Sequence, residues 1–164
     1  MRGVDADNRR KHAIDLLEQA YREQMGGNVD EAIRLYQASL AYCPTAEAHT
    51  FLGWAYSFKG RLDDAIEECK KAIEVDGDFG NPYNDIGSYL IHQGKVDEAI
   101  PWLDRAITAK RYEPRHYPHC NLGRAYQAKG MLQRAIEEFE KALTIEPNYE
   151  FAQAALAEAK SKLN

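Results

Sequence analysis

Residues 52–66 read LGWAYSFKGRLDDAI, and closely similar stretches recur at residues 86–100 (IGSYLIHQGKVDEAI) and 122–136 (LGRAYQAKGMLQRAI). The second half of this pattern, which ends in Ala-Ile, also occurs once nearer the N-terminus. The alanine of this Ala-Ile pair is therefore found four times, at spacings of 33, 34 and 36 residues: Ala32, Ala65, Ala99 and Ala135. A period in this range is typical of an array of stacked helical units and not of a single globular core.

Each copy of the pattern predicts two helices joined by a turn. After the alanine, apolar or small residues follow at offsets of four, seven and eight, which lie on one face of a helix. Before it, Leu52 and Tyr56 are four residues apart and share a face of a preceding helix. Gly60 lies between the two helices, at the left-handed position that commonly ends a helix. Gly53 lies inside the first helix, where glycine costs about 1 kcal/mol relative to alanine, so its recurrence indicates close contact between helices.

The spacing of these residues resembles that of the tetratricopeptide repeat family over about residues 11–147, and most closely in the second and fourth units. The resemblance implies an all-α fold, in which four helix-turn-helix units form a right-handed superhelical array that ends in a C-terminal capping helix. The predicted units span about residues 11–45, 46–79, 80–113 and 116–147, after a flexible segment at 1–10 and before the capping helix at 148–164.

Three parts of the chain depart from a simple repeat. The first unit fits only if its first helix is shifted by two residues, which predicts a longer turn at 25–28 and places Glu18 at the small-residue position. Residues 110–115 contain two extra residues before the fourth unit. In the capping helix, four apolar residues fall on one stripe: Phe151, Ala155, Ala159 and Leu163.

Composition limits the class of protein. The net charge is −5, and the one basic cluster, at residues 9–11, lies among acidic residues, so a nucleic acid is not expected as a partner. No stretch approaches the roughly 18 uninterrupted apolar residues of a membrane helix, so membrane insertion is not expected either. The three cysteines show no C-x-x-C spacing and residues 1–11 do not resemble a secretory signal, which favours a cytoplasmic location. An export signal removed from a longer precursor is compatible with this sequence.

No catalytic or cofactor-binding motif is found, so neither enzymatic activity nor a cofactor is expected. The nearest approach to a metal site is His116, His119 and Cys120, which offer three ligands of mixed softness. However, His119 occupies the same position in its unit as His49 and Tyr83, where the family prefers tryptophan. This position favours a packing role over a metal site.

The resemblance also implies a binding surface, because the first helix of each unit in this family lines a concave groove that receives a peptide or a partner helix. By position in the repeat, the candidate groove residues are Trp54, Phe58, Asn84, Ser88, Ile91, His92, Tyr117, Asn121, Arg124 and Gln127. Trp54 and Phe58 share a helix face and are typical of a binding hot spot, unless helices of the first unit cover them. The amide side chains can bond a peptide backbone. Arg124 either holds a partner carboxylate through two hydrogen bonds or is simply solvated.

The expected function is therefore that of a non-catalytic scaffold, which binds a protein or peptide in this groove. Two alternatives stay open. Stacked arrays of this kind can also self-associate, which would make the chain a self-assembling structural scaffold. In addition, residues 84–99 and the longer linker before Asn121 resemble the tetratricopeptide lipoproteins of type IV pilus assembly, which predicts a role in that process.

Overall fold

The computed structural model describes all residues from 1 to 164, and it contains nine helices and no β-strand. The helices are α1 (Arg2–Met25), α2 (Val29–Tyr42), α3 (Ala46–Phe58), α4 (Leu62–Val75), α5 (Asn81–His92), α6 (Val96–Thr108), α7 (His116–Ala128), α8 (Leu132–Ile145) and α9 (Glu150–Leu163). This confirms the predicted all-α fold of four helix pairs and one further helix. None of the nine combines the length and the apolar character that crossing a bilayer requires.

The two helices of each pair are joined by the same three-residue turn. Its central glycine has a positive φ, between 72° and 89° in the four turns, which is the left-handed conformation that glycine adopts without strain. In the second turn, the Arg61 amide donates to the Tyr56 carbonyl at 3.0 Å and the Gly60 amide donates to the Ser57 carbonyl at 3.0 Å. These two bonds form a Schellman motif, which ends the first helix and reverses the chain.

Helix α1 differs from the sequence-based prediction in its start and in its register. It begins at Arg2, so residues 2–10, predicted as a flexible segment, form its first turns. Its turn, at residues 26–28, has the same length as the other three, so the longer turn predicted there is wrong. The small residue of α1 is the fully buried Ala20, which precedes Gly53 by 33 residues, whereas Glu18 is exposed. The register was misassigned because α1 has Gln19 and Glu23, both polar, where α3 has Leu52 and Tyr56.

The recurring glycines of the first helices allow the paired helices to approach closely, as predicted. A Cβ atom on Gly87 would lie 2.4 Å from Leu103 Cδ2, and one on Gly123 would lie 2.4 Å from Phe139 Cε1. Neither distance is compatible with van der Waals contact. The apolar side chain of the second helix therefore fills the space that the missing methyl group leaves.

The chain forms two compact units, which are called the N-terminal unit (Met1–Gly77) and the C-terminal unit (Asp78–Asn164). In the N-terminal unit, α1 packs on α2, α2 on α3, and α3 on α4. In the C-terminal unit, α5 packs on α6, α6 on α7, α7 on α8, and α8 on α9. Within each unit, burial thus arises between helices that are neighbours in the sequence, which is the pattern expected of a repeat array.

Helix α9 covers α8. Ala152 and Ala159 are fully buried, and Ala159 packs in a cluster with Ile136 and Phe139 of α8. The apolar stripe is divided, because Ala155 and Ala159 contact this cluster, whereas Phe151 and Leu163 are 47% and 51% exposed. The methyl groups of alanine allow α9 to lie close to α8, where the larger side chains would not fit as well.

Candidate partner-binding surfaces

Five large side chains of α1 and α3 form an apolar surface on the N-terminal unit, called the aromatic strip: Tyr21, Met25, Phe51, Trp54 and Phe58. The ring centroids of Trp54 and Phe58 are 5.1 Å apart, and the Tyr21 ring lies 6.4 Å from Trp54 and 5.6 Å from Phe51. Met25 is 62% exposed and Phe58 57%. Four of the five side chains thus form a continuous run of ring contacts, and Met25, one period before Phe58, belongs to the strip by its repeat position.

The strip joins two predicted residues, Trp54 and Phe58, to three that the sequence analysis missed, Tyr21, Met25 and Phe51. Tyr21 precedes Trp54 by 33 residues, and Met25 precedes Phe58 by the same number, so each pair occupies one position of the repeat. The shifted register of α1 hid this match, and counting the period back from Trp54 would have found it. The sequence analysis left open that helices of the first unit cover Trp54 and Phe58. Tyr21 of α1 does contact Trp54. Phe58, however, stays largely exposed.

In the C-terminal unit, Asn84, Asn121 and Arg124 are brought together by the packing of α5 on α7. Arg124 Nη1 donates to Asn121 Oδ1 at 2.9 Å, and Asn121 Nδ2 donates to Asn84 Oδ1 at 2.8 Å. These three side chains are called the polar chain.

Arg124 lies between the two alternatives given by the sequence. It is not fully solvated, because it is half-buried and one of its five N–H groups is donated to Asn121. Its remaining donors are available to an acceptor on a partner.

Five other candidate residues of the C-terminal unit are not part of the polar chain: Ser88, Ile91, His92, Gln127 and Tyr117. Ser88, Ile91 and Gln127 are half-buried, and His92 is exposed, with its Nδ1 atom 2.8 Å from the Ser88 carbonyl oxygen. They lie on the same two helices, α5 and α7, at the repeat positions that the sequence analysis assigned to the groove. Their role in binding stays a prediction.

Tyr117 belongs to an aromatic cluster at the start of α7. Its ring centroid lies 5.6 Å from that of Tyr149 in an edge-to-face arrangement, and Tyr149 lies 6.1 Å from Phe151. Tyr117 is 41% exposed. The sequence analysis placed Phe151 on the apolar stripe of the capping helix and did not single out Tyr149, so this second apolar surface had not been expected.

The three weak candidates for a metal site do not converge. The His119 Nδ1 atom lies 2.7 Å from Glu138 Oε2, whereas the His116 ring packs against Tyr117 at 4.2 Å. Cys120 is buried against alanines of α8 and α9, and burial raises the pKa of its thiol to about 12. No group of three or more metal-ligating side chains occurs in the structure, so the arrangement does not fit the candidate site.

A histidine, a glutamate and a lysine form the same arrangement in two helix pairs: His49, Glu68 and Lys71 in one, and His119, Glu138 and Lys141 in the other. In both pairs the histidine Nδ1 lies 2.7 Å from the glutamate Oε2, and the lysine Nζ lies within 2.9 Å of the other oxygen. Burial alone would raise the pKa of each carboxyl, but the hydrogen bonds from histidine and lysine outweigh it and hold the pKa below its ordinary value. These histidines join the two helices of a pair and do not line a partner-binding surface.

Comparison with known proteins supports the same architecture. Two family models described as tetratricopeptide repeat match residues 17–81 and 78–147. Sperm-associated antigen 1 of Mus musculus is 29% identical over 137 residues, which are 84% of this chain but only 11% of the relative's length.

Solved structures show the same fold over nearly the whole chain. PilF of Pseudomonas aeruginosa matches with a TM-score of 0.88 and 24% identity, over 94% of this chain and 70% of its own. PilW, described as a type IV pilus biogenesis factor, matches with a TM-score of 0.84 and 19% identity, over 91% and 69%. YrrB, described as a protein with an unusual peptide-binding site, matches with a TM-score of 0.68 and 20% identity, over 92% and 77%. Because the two family matches together extend over residues 17–147 and coincide with the helix pairs of both units, the chain belongs to the tetratricopeptide repeat family.

Proposed function

We propose that this chain is a non-catalytic scaffold, which binds a protein or peptide partner through the surfaces of its first helices, with the aromatic strip as the main anchor. Proteins of this family act in general as protein-interaction scaffolds. The description of YrrB as a protein with a peptide-binding site supports such a role for the fold, although its identity to this chain is low.

The observation that carries the proposal is the exposure of the aromatic strip. Transferring one such side chain from water to an apolar environment is worth about 1.5–3 kcal/mol, so a partner that covers Met25 and Phe58 gains substantial binding energy. Tryptophan and tyrosine are also the residues that most often dominate the binding energy of an interface. The rings of the strip are held against one another, so little side-chain freedom is lost when a partner binds.

The polar chain supports a second contact of a different kind. Asn84, Asn121 and Arg124 retain N–H groups that are not used within the chain of hydrogen bonds. Carbonyl oxygens of an extended peptide, or a carboxylate, are suitable acceptors for these donors. The C-terminal unit is therefore proposed to bind such acceptors on a partner, independently of the aromatic strip of the N-terminal unit.

Selection from a displayed library of random peptides tests the proposal even while the natural partner is unidentified. A Trp102→Phe background leaves Trp54 as the only tryptophan, so that its emission reports binding to the strip directly. A peptide that covers the strip is expected to shift this emission to shorter wavelength. Replacing Trp54 by alanine, measured by calorimetry, is expected to weaken binding by about 30-fold or more.

The matched control is Tyr42→Ala, which removes a ring that is 43% exposed from a second helix of the same unit. It is expected to change the affinity by no more than about twofold. Selected peptides that bind the Trp54→Ala variant as tightly as the parent chain, with helical circular dichroism unchanged, would contradict the assignment of the strip.

Self-association is a second candidate, because Phe151 and Leu163 leave α9 partly apolar toward solvent. A second copy of the chain could cover these residues and remove their apolar area from water. The similarity to PilW concerns the fold alone at 19% identity, so the predicted role in pilus assembly has no observation of this chain in its favour.

A further inference from the structure

The face of α7 that carries Asn121 and Arg124 also carries an exposed ring. Tyr117 and Arg124 are seven residues apart in α7, which is about two turns of helix, so their side chains leave the same face about 10 Å apart along the axis. Asn121 lies between them on this face and accepts a hydrogen bond from Arg124. Tyr117 is exposed and the other two are half-buried. One surface of the C-terminal unit thus has a ring at one end and a cation at the other.

At the ring end, three aromatic side chains form a platform: Tyr117, Tyr149 and Phe151. The rings of Tyr117 and Tyr149 meet edge to face with centroids 5.6 Å apart, and the Phe151 ring lies 6.1 Å from that of Tyr149. The buried His116 ring packs against both tyrosines, at 4.2 and 4.9 Å. Tyr117 and Phe151 stay 41% and 47% exposed. Surfaces lined by aromatic rings bind proline well, because both sides are already rigid and little conformational freedom is lost.

At the other end, the cation of Arg124 is not neutralised by a carboxylate. None of the ion pairs of the structure includes Arg124, and its hydrogen bond goes to the neutral amide of Asn121. Glu158, which follows Arg124 by 34 residues and so occupies the same repeat position in α9, is paired with Lys162 at 2.7 Å. A carboxylate of a partner is the acceptor that complements the remaining N–H groups of Arg124 in charge and in shape.

The distance between the two ends favours one backbone conformation of the partner. In a polyproline II segment every third side chain returns to the same face after about 9 Å, which matches the spacing of about 10 Å on α7. Side chains on one face of a β-strand repeat about every 6.6 Å, so none falls at this distance. A polyproline II segment has no internal hydrogen bonds, and the second N–H of the Asn121 amide can donate to one of its carbonyls. The carbonyls of a partner helix are bonded within the helix and would leave this donor unused.

We propose that this face of α7 binds a polyproline II segment of a partner protein, in which a proline packs on the rings of Tyr117 and Phe151 and a glutamate or aspartate three residues away pairs with Arg124. The segment crosses the Asn121 amide between these two contacts. The carboxylate belongs to an internal side chain, since α7 continues past Arg124 to Ala128 and leaves surface for the partner chain to follow.

This inference rests on the proposed function and deepens it, since it names the class of partner that the C-terminal unit recognises. It involves no residue of the aromatic strip. Failure of the inference therefore leaves the peptide selection on the strip unaffected, and the two failures are distinguishable.

The test uses the full chain and a short peptide blocked at both ends, of sequence Ala-Pro-Ala-Ala-Glu-Ala, which is too short to form a helix and populates polyproline II. Binding is followed by NMR through the side-chain resonances of Tyr117 and Arg124, and a dissociation constant of about 1 mM is expected. The same peptide with glutamine in place of glutamate is expected to bind about tenfold more weakly, because it loses a charge-assisted hydrogen bond. Moving the glutamate one position toward or away from the proline is expected to have a comparable effect, because its side chain then leaves another face of the segment.

The Arg124→Gln variant is expected to bind the glutamate and glutamine peptides equally. The matched control is Arg134→Gln, which removes an exposed arginine of α8 that lies 5.6 Å from the centre of the Tyr126 ring and is expected to keep the preference for glutamate. Helical circular dichroism establishes that both variants are folded.

Two outcomes in the parent chain would overturn the inference, and neither requires a variant to fold. The first is that the Tyr117 and Arg124 resonances do not move at about 10 mM peptide, which is about ten times the expected dissociation constant. The second is that the glutamate peptide binds no better than the glutamine peptide or the peptides of altered spacing. A preference for glutamate that persists in Arg124→Gln would also overturn it, because the carboxylate would then bind elsewhere.

Discussion

At the scale of single residues, three equivalent positions between the paired helices are occupied by different side chains in successive units. A histidine and a glutamate covered by a lysine occupy them in two helix pairs, as described above. In the pair α5/α6 the same positions hold Tyr83, Trp102 and Arg105. The guanidinium carbon of Arg105 lies 4.6 Å from the centre of the Tyr83 ring and 5.0 Å from that of Trp102. What these sets share is a side chain from each helix and a cation that covers them at the surface.

The two buried glutamates predict a dependence of stability on pH. Because the pKa of Glu68 and of Glu138 is lower in the folded chain than the ordinary value of 4.5, each contributes stability that is fully present above pH 4.5. This contribution is lost as the pH falls through the folded pKa. A Glu68→Gln/Glu138→Gln double variant is expected to be less stable at pH 7 by about 1–3 kcal/mol per site. Urea unfolding measured from pH 7 to pH 3 should show a shallower decrease than in the parent chain.

The glutamates that directly precede Glu68 and Glu138 in the sequence provide a control for this prediction. Glu67 and Glu137 are exposed, and Glu67 makes only a surface pair with Lys70 at 3.4 Å. The Glu67→Gln/Glu137→Gln variant should keep the pH profile of the parent chain within about 0.5 kcal/mol. Equal profiles for the two double variants would show that the buried bonds to histidine and lysine do not carry the effect.

The sequence identifies candidate site residues only where the type of the side chain is by itself unusual for a surface. Trp54 and Phe58 were found because two large rings on one helix face are unusual on a surface. The bonds that join Asn121 to Asn84 and to Arg124 could not be predicted, because they depend on how closely α5 approaches α7 and on which way each amide turns. Periodicity describes which face a residue occupies but not the orientation of its polar atoms.

At the scale of elements, the helix pairs could be predicted because glycine and alanine mark each turn and each close contact. The two terminal helices, α1 and α9, were assigned less well. Each has a neighbour on one side only, so its sequence is less constrained by packing, and polar residues such as Gln19 occupy positions that are apolar elsewhere. Terminal repeats of such arrays are atypical for this reason.

The exposed apolar residues of helix α9 lead to a prediction on self-association. If a second copy covers Phe151 and Leu163, the sedimentation coefficient of the parent chain should rise with concentration. The Phe151→Ser/Leu163→Ser variant should sediment as a monomer over the same range, because it loses the apolar area that drives association. Ile145→Ser removes a similarly exposed residue at the end of α8 and serves as the control. A parent chain that stays monomeric throughout would exclude association through α9 at those concentrations.

At the scale of the whole molecule, stability should be divided between the two compact units. In a repeat array each helix contacts only its neighbours, so the free energy of unfolding is approximately a sum of local terms. The sequence provides one natural reporter for each unit, since Trp54 lies in α3 and Trp102 lies in α6. Variants with a single tryptophan, made by Trp102→Phe or Trp54→Phe, therefore report the unfolding of one unit at a time.

A methyl group added at a close helix contact should then affect one reporter more than the other. Gly123→Ala places a Cβ atom 2.4 Å from Phe139 Cε1, and the resulting overpacking is expected to cost about 1–3 kcal/mol, partly offset by the better helix propensity of alanine. The urea midpoint reported by Trp102 should fall, while that reported by Trp54 changes little. Gly53→Ala, whose Cβ atom would lie 2.9 Å from the Ala65 carbonyl oxygen, should produce the reverse pattern. If either substitution lowers both midpoints equally, the chain unfolds as one cooperative body and not as two separate units.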